Sequence, residues 1–100
     1  MPSARSRPSR SKSGWTVYLL RCGDGSLYTG ITNDLPKRLL THAAGKGSRY
    51  TRSRLPVRLA YAEPQPTQSA ALRREAAIKR LTRSRKDRLV EAGRTKARRT

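Results

Sequence analysis

One hundred residues with 24 Lys and Arg against six Asp and Glu, a net charge of +18, leave room for one small domain and exclude a second. A hydrophobic share of 34% with only five aromatic residues dictates a thin core, and so large a cationic excess makes a polyanion, nucleic acid above all, the expected partner. Cys22 is the one cysteine, which excludes an intrachain disulfide and a cysteine zinc site and points to a reducing cytoplasm; no apolar run approaches the roughly 18 residues that span a bilayer.

Residues 1–13 hold four cations and no acid, and they lack the apolar segment of a secretory signal, so they read as a disordered basic arm. Residues 93–100 hold four more cations and read as a basic tail. Without these ends, sixteen cations face all six acids, a balance of +10, so the folded body over 14–92 is basic in its own right. Arginine outnumbers lysine, as bidentate phosphate contacts favour and as GC-rich coding also produces.

Residues 16–21 and 27–32 are rich in β-branched, aromatic and aliphatic side chains, and Gly23-Asp24-Gly25 between them signals a turn, which together predict a β-hairpin. An odd-length connection centred on Asp24 sets Tyr18 opposite Gly30 and Leu20 opposite Tyr28, with both tyrosines on one face. A two-residue Asp24-Gly25 turn sets them on opposite faces.

Asn33 or Asp34 can cap the next helix, Pro36 suits its first turn, and Gly45 suits its end. Leu35, Leu39, Leu40 and Ala43 form its apolar stripe, at whose edge Arg38 and His42 project together at helical spacing. Residues 46–54 read as an exposed cationic loop in which Lys46, Arg49, Arg52 and Arg54 can receive a phosphate backbone. Gly45-Lys46-Gly47-Ser48 lacks the earlier glycine and preceding strand of a phosphate loop, so no nucleotide cofactor is expected.

Residues 55–62 alternate as a third strand ended by Pro64 and Pro66. Ser69 is read as the cap of a second helix with Ala71, Leu72, Ile78 and Leu81 on one side and Glu75 pointing inward. A last short helix runs to Glu91, with Gly93 closing it. The order β-β-α-β-α-α predicts an α+β fold, a small three-stranded antiparallel sheet flanked by helices.

Tyrosine, arginine, histidine and glutamate are the groups needed to bind and cleave a phosphodiester with a hard divalent cation. Val17-Tyr18-Leu19, then Tyr28-Thr29-Gly30 continued by Ile31-Thr32, then Arg38 and His42, then Glu75 followed by Ile78-Lys79, resemble in order and spacing the GIY-YIG endonuclease family in its small single-domain bacterial branch. The resemblance covers about residues 15–92 and implies the same three-stranded fold, a DNA endonuclease of repair or recombination, and Mg²⁺ or Mn²⁺ held mainly by Glu75. It implies catalytic roles for Tyr18, Tyr28, Arg38, His42 and Glu75. On that analogy Arg38 stabilises charge on the phosphoryl oxygens, and Tyr18, Tyr28 or His42 handles the proton of the attacking water. Lys79 joins the cations of the loop as a nucleic-acid contact. With no added binding domain, structure or charge guides substrate choice more than sequence does.

Two bland readings stand beside these. Glu75 can pair with Lys79 in the favourable i,i+4 order, although an inward carboxylate needs a cation or metal in any case. The same basic surface could also belong to a binder of DNA or RNA without catalysis, cytoplasmic and nucleoid-associated like the nuclease.

Overall fold

The computed structural model describes residues 14–99, so the basic arm expected over 1–13 lies outside them. Strands β1 (Trp15–Arg21) and β2 (Leu27–Thr32) form the expected hairpin. Their register pairs Tyr18 with Gly30 and Leu20 with Tyr28, so the five-residue connection centred on Asp24 is the one adopted and both tyrosines share a face. The turn closes on itself: Ser26 donates to the Asp24 carboxylate from its backbone N (3.0 Å) and its hydroxyl (2.6 Å), and Gly25 takes a positive φ of 88°.

Helix α1 (Leu35–Ala43) starts at Asp34, whose carboxylate accepts from Lys37 N at 3.2 Å, and stops before Gly45 at φ 79°. Its buried side chain is His42, while Leu40 is 73% exposed and Ala43 is also exposed. The stripe Leu35, Leu39, Leu40, Ala43 is therefore not the buried face. Leu39, Leu40 and Ala43 instead line an open groove with Leu20, Val57 and Leu59, because a polar contact, not the leucines, seats the helix on the sheet.

The segment read as a loop contains one helical turn, α2 (Arg49–Arg52), capped by the Ser48 hydroxyl, which accepts from Thr51 N at 3.1 Å. Strand β3 (Arg58–Gln65) begins later than expected and runs through Pro64, which pairs with Thr16. The sheet order is β2-β1-β3, so β3 is an edge, where a proline can sit with its missing N–H turned away from the partner strand. The partners Leu19↔Tyr61 and Leu20↔Leu59 leave Ala60 as the extra residue of a bulge.

Helix α3 (Gln68–Lys79) is capped by Thr67, not Ser69. Thr67 has the extended backbone of a cap and its hydroxyl accepts from Ala70 N at 3.0 Å, whereas Ser69 lies inside the helix and accepts from Arg73. Ala71 and Ile78 face the core, and Leu72 faces solvent instead of joining them. Helix α4 (Arg83–Arg99) runs past Gly93. A Cβ at Gly93 would fall 2.8 Å from Tyr61 Cδ1, so this glycine admits an aromatic ring beside the helix and does not end it.

Alternation along β1 divides the molecule into two sides. Val17 and Leu19 pack with Ala71, Ile78 and Val90 from α3 and α4, and Tyr18 and Leu20 point to the opposite side, toward α1 and α2. All four β1 residues are buried, so the thin core expected from composition is one central strand covered on both faces. The fold is the expected α+β arrangement of a three-stranded antiparallel sheet with flanking helices. Among the described residues no helix is long and apolar enough to cross a membrane.

Candidate functional site

The site grows from the hairpin face that carries both tyrosines. Tyr18 is 2% exposed, and its ring lies across Gly30, where a Cβ would stand 2.6 Å from the hydroxyl oxygen. Only glycine at this point of β2 lets the phenol cross the sheet. The Tyr18 hydroxyl lies 3.0 Å from Nε2 of His42, itself 1% exposed. His42 is held on its other side by the Thr51 hydroxyl, 3.0 Å from Nδ1, and Gly47 packs so closely on the imidazole that a Cβ there would overlap the ring.

Tyr28 sets its ring edge-on to His42 at 5.5 Å and stacks on Tyr50 at 5.9 Å. The Arg54 guanidinium lies over the Tyr50 ring at 3.8 Å from its centre and donates through Nε to Asp24 at 3.1 Å. The hairpin turn, the α2 turn and the tyrosine pair are thereby tied together.

Arg38 and Glu75 complete the group, and both are half-buried. Burial, followed by the neighbouring Tyr28, pushes the Tyr18 phenol up to about 12; Arg38 pulls it down and Glu75 pushes it further up. Burial lowers His42 from its ordinary value, helped by the charge of Arg38, so the imidazole is neutral at pH 7. A protonated phenol against a neutral imidazole is a pair through which one proton can move.

Glu75 reaches the site from α3, on the inward side of that helix as expected, with its side chain 19% exposed and Lys79 Nζ 3.4 Å away. The ion pair and the inward placement coexist, since a carboxylate there needs a positive partner. Beside Glu75 on α3, Arg74 ties the helix to β3, gripping Glu63 through Nε (2.7 Å) and Nη2 (3.3 Å), while Tyr61 (2.5 Å) and Gln65 (2.7 Å) donate to the same carboxylate. Burial alone would raise Glu63, but the bonds from Arg74 and Tyr61 outweigh it and hold the carboxyl below its usual value.

The structure thus brings together Tyr18, Tyr28, Arg38, His42 and Glu75, residues up to 57 positions apart in the chain. Among the nucleic-acid contacts expected from sequence, Lys46, Arg49 and Arg52 are exposed near this face, Arg54 is engaged by Tyr50 and Asp24, and Lys79 by Glu75. Thr51, fully buried, was missed by sequence reasoning, as was the Glu63–Arg74 clamp. The sequence signal for Thr51 was Ser48 three residues ahead, a capping hydroxyl that starts a helical turn and points the turn inward.

Residues 14–88 match the GIY-YIG catalytic domain. A UPF0213 protein of Desulfotalea psychrophila is 48% identical over 87 residues, covering 86% of this chain and 79% of its own length. One from Streptococcus sanguinis is 56% identical over 70 residues, covering 70% of this chain and 80% of its own length. The solution structure of a UPF0213 protein from Bacillus halodurans is similar at a TM-score of 0.53 and 44% identity, over 79% of this chain and 84% of that one.

Proposed function

This chain belongs to the GIY-YIG family, and on that premise we propose that it is a divalent-metal-dependent endonuclease that hydrolyses DNA phosphodiesters, guided by structure or charge more than by base sequence. The observation that carries the reading is the buried Tyr18–His42 bond with Arg38, one turn before His42 on α1, and Glu75, from α3, both acting on the phenol. A sheet tyrosine with only a structural duty has no need of a neutral imidazole partner inside a cationic rim.

Water is the nucleophile. As it attacks phosphorus in line with the leaving oxygen, its proton passes to the Tyr18 oxygen while the Tyr18 proton passes to His42, so no free phenolate with a pKa near 12 has to form. The new P–O bond forms, the bond to the leaving ester oxygen breaks, and that oxygen takes its proton from solvent. Arg38 holds the phosphoryl oxygens where negative charge grows, its fork giving two directed donors. Tyr28, against the His42 ring, keeps the imidazole turned toward Tyr18.

Among the described residues no cluster of three or more His, Cys, Asp or Glu side chains occurs. A single carboxylate nonetheless fits a hard cation such as Mg²⁺ or Mn²⁺, which needs few protein ligands, and Glu75 is the residue that would hold it. Bound there, such a cation would supply charge stabilisation to the phosphoryl oxygens. Exposed Lys46, Arg49 and Arg52 carry the flanking phosphates, and a cytoplasmic role in DNA repair or recombination is consistent with a partner of this kind.

The test is nicking of supercoiled plasmid and labelled branched DNA with Mg²⁺, Mn²⁺ or EDTA, wild type beside Tyr18→Phe. Metal-dependent nicking that falls by about a hundredfold or more in the variant supports the reading. Salt-sensitive binding of DNA or RNA without cleavage by either protein would establish the non-catalytic binder instead.

A further inference from the structure

Thr51 makes no contact with the outer surface, yet it sits at the end of a chain of hydrogen bonds that begins at Tyr18. The chain runs Tyr18 hydroxyl, His42 Nε2, His42 Nδ1, Thr51 hydroxyl, with both links at 3.0 Å. Beyond Thr51 lie the Ser48 backbone carbonyl at 3.3 Å and the Ser48 hydroxyl at 3.0 Å. A neutral imidazole has one N–H and one bare nitrogen, so the two hydroxyls that flank His42 cannot both donate to it.

Competition for the bare nitrogen decides which one does. Tyr18 is a phenol, a more acidic and stronger donor than an alkyl alcohol, and among the described residues His42 is its hydrogen-bond partner. Thr51 has another acceptor in the Ser48 carbonyl, which can only accept. With the Thr51 proton directed there, its oxygen is open to the Nδ1–H of His42. The same oxygen can also take the Ser48 hydroxyl proton, so each hydrogen in the network has a place.

We propose that Thr51 is a positioning residue that fixes His42 as its Nδ1–H tautomer, leaving Nε2 bare to receive the Tyr18 proton. This assignment deepens the endonuclease reading and rests on it for its consequence in catalysis, but not for the tautomer itself. The short helix α2 gains a purpose from it. Capped by Ser48 and only one turn long, α2 presents Arg49 and Arg52 outward and delivers Thr51 inward, so the phosphate-binding rim and the imidazole share one rigid turn. Gly47 permits the close packing of that turn on the ring. When His42 takes up a proton, Nδ1–H already has its acceptor and nothing has to reorient.

His42 is the one histidine of the chain, so its ring nitrogens can be read without assignment ambiguity. A long-range ¹H–¹⁵N spectrum of the full chain at pH 7.5 is expected to show a protonated Nδ1 and a bare Nε2 in the wild type. In Thr51→Val, which preserves shape and removes the hydroxyl, the single tautomer is expected to give way to a mixture or to Nε2–H, with nicking down roughly tenfold to a hundredfold. Thr51→Ser is expected to restore both. An Nε2–H tautomer in the wild type would overturn the proposal, as would a Thr51→Val protein that keeps the wild-type tautomer. If the wild type shows Nδ1–H but none of the three proteins nicks DNA, the endonuclease reading fails while the tautomer assignment stands.

Discussion

Replacing Gly30 by alanine puts a methyl carbon where the Tyr18 ring crosses the sheet. The new Cβ would stand 2.6 Å from the Tyr18 hydroxyl oxygen and 2.7 Å from Cζ, against the 3.4 Å at which ordinary contact begins, so the ring tip must retreat by about 0.8 Å. Tyr18 is buried under α1 and has no solvent to retreat into, and its hydroxyl is bonded to His42 at 3.0 Å, so that displacement either breaks the bond or drives the ring into its neighbours. Overpacking of this kind costs about 1–3 kcal/mol. For a domain of this size each kcal/mol lowers Tm by roughly 4–8 °C, so a fall of about 4–24 °C is expected. A misplacement approaching 1 Å at a reacting group lowers the rate by about a hundredfold. Thermal unfolding followed by circular dichroism, with plasmid nicking measured well below the new Tm, reads both effects. A Gly30→Ala protein that melts and nicks like the wild type would refute the claim that glycine is needed for the phenol to reach His42.

Other expectations concern charge and pH. Because burial lowers the folded pKa of His42 below its ordinary 6.5, its neutral form is favoured on folding, and stability is lost as pH falls from 6.5 through the lowered value; His42→Gln should flatten that part of a Tm-against-pH curve, and an unchanged slope would count against a buried neutral imidazole. Glu63 also has a lowered pKa, so the stability it contributes is present above 4.5 and is lost at more acidic pH; Glu63→Gln should remove this step and cost about 1–3 kcal/mol by leaving Arg74 poorly paired, as urea unfolding at pH 7 and pH 4 can show. Arg49→Ala and Arg52→Ala should each weaken DNA binding across all sequences and reduce the slope of log affinity against log salt by about 1, with the melting temperature unchanged.

Much of this arrangement was legible in the chain because it follows from local periodicity. Of the two connections open to the hairpin, the structure adopts the odd five-residue one between Arg21 and Leu27, and its parity puts Tyr18 and Tyr28 on one face. The four-residue spacing of Arg38 and His42 puts them on one side of a helix whatever the tertiary fold. The misjudged positions depend on what packs against each element. Leu40 belongs to the apolar stripe of α1 by spacing, yet the helix docks through His42, and the energy of a satisfied buried network decided which face turned inward. Leu72 fell on the expected side of α3, but the Glu63–Arg74 clamp sets the rotation so that Ala71 and Ile78 point in and Leu72 out. Gly93 has the residue type of a helix end and the role of a contact with Tyr61, a ring 32 positions earlier that no local pattern connects to it. The segment expected as a tail from 93 onward continues the helix through Arg99. Thr51 sits in a segment whose composition reads as loop, and a single helical turn is too short to leave a periodic signature.

The most direct test of the whole account compares wild type with Glu75→Ala on one supercoiled DNA, measuring Mg²⁺-dependent nicking and binding affinity side by side. The account predicts nicking lost by about a hundredfold or more while affinity is held or slightly improved, since a metal-holding carboxylate is removed from a cationic surface. Nicking at the wild-type rate by Glu75→Ala would contradict it.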